Sequence, residues 1–330
     1  MHAIAEFGTT EDVAVTILMD NRADLIVKST RIVKYFTREP LLAEHGFAAL
    51  VHLRAEGRRI LWDAGLTRQA LPENMRRMKV DPRKIDLIAL SHGHDDHTAA
   101  VGDVLRWMEL RPREKEWKRD TPVEALRRYA EGRRIPLVVH PAAFRERWGM
   151  DRGQPRYGPG LPPPRAEWEA LGAEVILSEG PHPLGPGCWT TGLVPRRSFE
   201  KSGRPLPGRL TFREGDAFHA DDIEEDQAIV IHLREKGLVV LAGCAHSGIA
   251  NTVNYAREIS GVERVYAILG GFHLARASED EIQQTVAAIK DLQPAMIVPS
   301  HCTGFRAQCR FAHEMPGRFV PGVVGATYLF

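Results

Sequence analysis

Residues 91–97, Ser-His-Gly-His-Asp-Asp-His, put three imidazoles and two carboxylates into one short stretch. His92 and His94 are two apart, and Asp96 and His97 follow at once. Neutral imidazole combined with carboxylate is the donor set of a borderline divalent cation, zinc first, with iron or manganese also suited. The apolar run 85–90 (IDLIAL) leads directly into this heptapeptide and reads as a buried strand. The donors therefore fall in the turn after a strand, where they can be aimed into one cavity. Competing chemistries lack their residues. There is no GxxxxGK[ST] for a phosphate loop, no GxSxG for a serine nucleophile and no CxxC for a structural zinc or a redox dithiol.

Such a turn needs a sheet to hold it. VAVTILMD (13–20) is a β-branched run ending in the turn signal Asp20-Asn21, and 47–65 holds two apolar runs joined by Glu56-Gly57, the pattern of a hairpin. A helix is expected over 67–78, broken by Asp81-Pro82, and another after His97. Residues 105–135, charged and dotted with aromatics, read as a helical insertion on the surface, with a helix start at Thr121-Pro122. PLVVH (136–140) returns to strand, and the Gly- and Pro-rich segment 149–165 reads as a loop. Further strands are expected at 173–180, 188–194, 226–234, 237–246, 262–273 and, as the last, 295–301. Helices are expected over 249–259 and over 278–292, the latter starting at a Ser278 cap. Strand-rich stretches followed by helix–strand alternation, in both halves, fit two packed sheets with helices outside.

Composition narrows the function classes. Lys and Arg total 44 against 43 Asp and Glu, leaving a net charge of +1, so no long-range field points to nucleic acid or to an anionic membrane. Apolar residues make up 43% and charged residues 26%, ordinary for a chain with a sizeable core. Four cysteines in 330 residues do not make a disulfide scaffold, and no run approaches the ~18 apolar residues of a membrane span. The first residues lack a basic region followed by an apolar run, so the expectation is a cytoplasmic protein, without membrane or nucleic-acid partners.

The HxHxDH pattern, with Asp63-Ala64-Gly65 after an upstream strand, resembles the metallo-β-lactamase fold superfamily over nearly the whole chain. The resemblance implies an α/β fold, an αββα sandwich of two mixed sheets flanked by helices, in a single domain over 1–330. It also implies a site for one or two divalent cations. By that likeness His92 and His94 bind the first metal, Asp96 and His97 the second, and Asp63 orients the histidine loop through hydrogen bonds. Asp95 holds the variable position of the signature and is not an expected ligand.

The later motifs depart from the superfamily pattern. A third histidine is expected in a Gly-His-Thr turn, but the matching region, WTTGLVPRRSF (189–199), has none. The strand that would end in Gly-Asp ends in Gly243-Cys244-Ala245-His246, so Cys244 stands where a bridging carboxylate would be and His246 is the candidate replacement. His301, in VPSHCTG, fits the final ligand, with His273 in GGFHL as its competitor. Ala99-Ala100 stand where two glycines usually follow the histidine loop, and their side chains would narrow its mouth. Cys302 reads as packing, His45 and His140 as core or surface histidines, and Arg196-Arg197 as a solvated basic pair that could instead hold a phosphate.

Together EHG (44–46), LWDAG, LSHGHDDHT, GCAHSGI, GGFHL and PSHCTG resemble a narrower branch, the 7,8-dihydropterin-6-methyl-4-(β-D-ribofuranosyl)aminobenzene-5'-phosphate synthase-like metal-dependent hydrolases. That branch implies a metal-activated water acting on a phosphoester of a small molecule, so the expected partner is a phosphorylated small-molecule substrate. Asp96 would serve as ligand and proton acceptor, and His273 or His246, whichever is not a ligand, as proton donor. Transfer from a pterin-methyl diphosphate is the alternative. A metal-binding sensor without turnover is a third reading, raised by the cysteine at the bridging position.

Overall fold

The computed structural model of the chain describes residues 3–4, 6–110, 118–152, 154–160, 162–205 and 209–330. An eight-stranded sheet runs in the spatial order Val33–Tyr35, Ala326–Leu329, Val13–Met19, Ala48–Leu53, Arg58–Trp62, Leu87–Ala89, Ile135–Val139, Ala173–Leu177. A six-stranded sheet runs His182–Gly185, Cys188–Thr190, Ala228–Leu233, Gly237–Ala242, Val265–Gly271, Met296–Ser300. Side chains alternate across each strand, so one face of each sheet meets the other sheet and the opposite face meets helices. Val15, Ile17, Val51 and Ile60 pack with Ile229, Ile231, Leu241 and Leu269 in the layer between the sheets. Outside the first sheet, Leu61, Ile88 and Leu137 meet Leu71 and Met75 of helix Ala70–Met78 and Val101, Val104 and Leu105 of helix Val101–Trp107. Outside the second, Val230, Val240 and Ile268 meet helices Ile249–Ser260, Glu279–Asp291 and Phe305–Glu314. The layering is αββα. The Ser278 hydroxyl accepts from the Glu281 amide and caps Glu279–Asp291.

Each sheet has a parallel part. Arg58–Trp62, Leu87–Ala89, Ile135–Val139 and Ala173–Leu177 run parallel in one, and Gly237–Ala242, Val265–Gly271 and Met296–Ser300 in the other. Crossovers between parallel strands return the chain to the same edge, so the carboxyl ends of such strands cluster. Asp63, Ser91, Cys244, His273 and His301 all lie just past such ends.

The structure departs from the sequence expectations in places. The segment 149–165, expected as a loop, includes most of the hairpin Arg147–Asp151/Gln154–Gly160, which joins Leu210–Glu214 and Ala217–Ala220 in a four-stranded sheet. Gln154–Gly160 lies at that sheet's edge, where a proline's missing N–H breaks no ladder. The expected insertion 105–135 takes in the end of helix Val101–Trp107, whose Val101, Val104 and Leu105 belong to the core, and helix Val123–Glu131; 111–117 fall outside the described residues. The strand ending at 301 is not the last. Ala326–Leu329 inserts between Val33–Tyr35 and Val13–Met19, and its Tyr328 is buried in the inter-sheet layer. Ala100 is fully buried in the outer core layer and so does not narrow the mouth of the histidine loop. Among the described residues, no helix is long and apolar enough to cross a membrane.

Candidate metal centre

Strand Arg58–Trp62 ends in Asp63, which is buried and left-handed at φ 59°. Its Oδ1 accepts from the Ser91 amide at 2.7 Å, and its Oδ2 accepts from the Ser91 hydroxyl at 2.7 Å and lies 2.7 Å from His97 Nδ1. The histidine turn is fastened from both sheets. The Ala64 amide donates to the His97 carbonyl at 2.7 Å, and the Gln227 side-chain amide donates to the Leu90 carbonyl at 2.7 Å. A Cβ at Gly93 would come 2.1 Å from the Ala143 carbonyl, so the turn runs hard against that backbone. Glu225 accepts from the Gly93 amide at 3.3 Å and is ion-paired to the buried Arg147, which also holds Asp221 at 2.7 Å. The four-stranded sheet thereby reaches the turn through Arg147.

Four imidazoles share one arrangement, in which Nδ1 faces an outer partner. Asp63 accepts from His97 Nδ1. The Ser91 hydroxyl has given its proton to Asp63, so at 2.9 Å it accepts from His92 Nδ1. His246 Nδ1 donates to the Gly203 carbonyl at 2.8 Å, and His301 Nδ1 to Asn21 Oδ1 at 2.8 Å. For His92, His246 and His301 the bond fixes a tautomer with Nε2 as the inward lone pair, the disposition that metal-ligating histidines adopt, and His97 offers its Nε2 once it gives up its second proton. His92 Nε2 lies 3.0 Å from His94 Nδ1. The Nε2 atoms of His246 and His301 are buried without a hydrogen-bond partner, and Asp96 Oδ2 lies 3.3 Å from the latter. A lone pair facing a carboxylate oxygen is repulsive unless a cation or a proton lies between them.

The donors form overlapping groups. One nitrogen each from His92, His94 and His246 lie within 4.8 Å of one another, as do single donor atoms of Asp96, His97, Cys244 and His301. A third such group is Cys244, His246 and His273. Cys244 Sγ lies 3.1 Å from His97 Nε2. Burial and the Arg147 guanidinium push His94 down to about 4, and burial likewise lowers His92 and His246, so the first group is neutral imidazole. In the second, burial opposes the charge on Asp96, but His97 and His301 outweigh it and hold the carboxyl well below its usual range. Burial also disfavours charge on His97, yet Asp96 and Asp63 push it up to about 9, so a cation there must displace a proton. Burial raises the Cys244 thiol. The donor chemistry fits divalent cations: neutral nitrogens in one group, carboxylate, imidazole and an ionisable thiol in the other.

All the expected ligands, His92, His94, Asp96, His97, Cys244, His246 and His301, are brought together, with Asp63 behind them. His273 joins the edge nearest His246, their ring centroids 4.2 Å apart. Three side chains read otherwise from sequence also reach the centre. His45 Nε2 lies 3.5 Å from Asp96 Oδ2 on a largely exposed side chain, and Asn21 bridges His45 and His301. The Cys302 thiol donates to the Cys244 carbonyl at 3.5 Å. Adjacency to His301 was the one sequence signal for Cys302; nothing local marked Asn21 beyond a turn. His140 accepts from the Ala142 amide as a turn cap, Arg196 donates to the Asp222 and Ile223 carbonyls, and Arg197 pairs with Glu258 at 2.7 Å.

Comparison with known proteins adds four likenesses. The model of the metallo-beta-lactamase superfamily matches residues 44–301. A Methanocaldococcus jannaschii protein named 7,8-dihydropterin-6-methyl-4-(beta-D-ribofuranosyl)-aminobenzene-5'-phosphate synthase is 30% identical over 285 residues, 85% of this chain and 88% of that protein. Among solved structures, Tm1679, described as a metal-dependent hydrolase of the beta-lactamase superfamily, aligns with TM-score 0.68 at 22% identity, covering 96% of this chain and 98% of that one. YhfI from Bacillus subtilis, a metallo-beta-lactamase fold protein, aligns with TM-score 0.53 at 12% identity, covering 97% of this chain and 100% of that one.

Proposed function

The chain belongs to the metallo-β-lactamase superfamily, and from that premise we propose that it is a metal-dependent hydrolase acting on a phosphoester of a small molecule. The observation that carries this reading is the shared imidazole arrangement, with Nδ1 spent on outer partners and Nε2 turned inward beside Asp96 and Cys244. His92, His94 and His246 would hold one cation; Asp96, His97, Cys244 and His301 would hold a second. When bound, a divalent cation supplies Lewis acidity that polarises a phosphoryl oxygen and acidifies water toward neutral pH. Asp63, through Ser91 and His97, keeps the loop nitrogens aimed, and Asn21 does the same for His301. Asp96, held ionised by His97 and His301 and partly open to solvent, would orient the attacking water by accepting its hydrogen bond, its low proton affinity making it a poor final proton acceptor. His273, beside His246, is the candidate proton donor to the leaving oxygen.

The phosphorylated substrate class is supported by the name of the M. jannaschii relative, which is that of a 5'-phosphate synthase. That same likeness favours a second reading, transfer of a pterin-methyl group from its diphosphate to an aromatic acceptor. One assay separates the two. Purified protein of known metal content is given a chromogenic phosphodiester, and separately a pterin-methyl diphosphate with and without an aromatic amine. Turnover without an acceptor is expected. Consumption only in the acceptor's presence would replace hydrolase by transferase, and a metal-loaded protein inert to both would leave the sensor reading.

A further inference from the structure

Cys244, His246 and His273 form a third donor group, and two of its nitrogens are without hydrogen-bond partners. His246 Nε2 and His273 Nδ1 are both buried with no hydrogen-bond partner, and both lie on residues whose donor atoms fall within 4.8 Å of one another and of Cys244. The Cys302 thiol donates to the Cys244 carbonyl at 3.5 Å, so a second sulfur borders the same space. Its position is tightly set, since a Cβ on Gly271 would come 2.6 Å from Cys302 Sγ and 2.4 Å from the Gly243 carbonyl. His273 is aimed there by a left-handed backbone, φ 49°, an uncommon conformation for a residue with a Cβ. Two imidazoles and two thiols are a tetrahedral set for zinc and other thiophilic cations, and a poor one for manganese or magnesium.

We propose that Cys244, His246 and His273, with Cys302 beside them, form a third, sulfur-bearing cation position that thiophilic divalent ions select. It rests on the reading of Cys244 and His246 as ligands. His246 has one free nitrogen, because Nδ1 is committed to Gly203. It serves either the His92/His94 group or this one, and Cys244 thiolate can bridge to the Asp96 group. A hard cation leaves His273 free as proton donor; a thiophilic cation here removes it from that role. The centre thus sorts cations by softness through which partner His246 takes.

The test uses full-length protein stripped by a chelator and titrated separately with Cd2+ and Mn2+. Bound ions are counted by elemental analysis and thiolate ligation is followed by the cadmium–sulfur ultraviolet absorption. His273→Asn suits the test because asparagine tolerates the left-handed backbone. It is expected to weaken one Cd2+ by about 10–100-fold or more, on the scale of perturbed metal sites, and to leave Mn2+ binding unchanged. Cys302→Ser is expected to diminish the absorption while Mn2+ binding stays as in wild type. Unaltered Cd2+ binding in both variants, or equal loss of Cd2+ and Mn2+, would overturn the proposal. His94→Ala distinguishes the underlying reading: if it kept every cation, the metal-enzyme assignment would fail, whereas wild-type cadmium affinity in His273→Asn fails this inference alone.

Discussion

The histidine turn at 91–97 and the strand ends that carry Cys244, His246, His273 and His301 supply the same centre in opposite ways. In the turn the donors are neighbours in sequence, and a single buried carboxylate, Asp63, fixes them through Ser91 and His97. On the other side the donors come from three strand ends, Cys244 and His246 sharing one, and the chain leaves the sheet through left-handed residues, Ala245 at φ 50°, His273 at 49° and His301 at 45°. Such a conformation costs an L-residue roughly 1–2 kcal/mol, offset here by the packing of the parallel strands behind it. One side is local and braced through one shared carboxylate; the other is dispersed and braced by the sheet and by single hydrogen bonds to Gly203 and Asn21. A local pattern tells its chemistry from sequence, while a dispersed one shows only candidates.

The largest test of that contrast is His94→Ala, in the local half. It is expected to lose metal and activity by more than the ~100-fold seen when an outer partner is removed, measured by elemental analysis and turnover. Full occupancy with full activity would make the turn dispensable. Cys244→Ala, in the dispersed half, is expected to weaken the second cation by more than about tenfold while the first stays bound; unchanged stoichiometry would reduce the cysteine to packing. Acidity should act on the turn side too. His97, pushed up to about 9 without a cation, is protonated at neutral pH and must release a proton to ligate, so cation affinity should rise with pH through the neutral range. Isothermal titration in buffers of different ionisation enthalpy would show that proton release, and a flat profile would break the assignment. Asp63→Asn and Asn21→Ala compare the two braces directly. Each should cost about 10–100-fold in affinity for one cation, Asp63→Asn the more because it touches both Ser91 and His97. Equal losses would remove the difference between the halves. Smallest is Arg197→Ala, whose exposed guanidinium pairs with Glu258; melting should move by no more than ~0.5 kcal/mol, with KM unchanged. A raised KM for phosphoesters would return that arginine to the substrate site.

Much of the layered frame was legible in the sequence, because periodicity follows from burial. The apolar run in Ala228–Leu233 and the capped amphipathic helix Glu279–Asp291 were visible as patterns. The hairpin Arg147–Asp151/Gln154–Gly160 was hidden because its glycines and prolines are tolerated at a sheet edge, and edges are assigned only by a partner strand. Ala326–Leu329 was hidden for a related reason: it pairs with Val13–Met19 from the far end of the chain.

The heptapeptide at 91–97 determined by itself that this chain carries a metal-type donor set, since imidazole and carboxylate so close on one turn have few other uses. Which nitrogen each ring offers was decided only in three dimensions. It depends on Gly203, Asn21 and Asp63, residues far away in sequence whose carbonyl, amide and carboxylate oxygens accept the Nδ1 protons of His246, His301 and His97. Hydrogen-bond acceptors of that kind are set by where the backbone passes, and no local spacing encodes it.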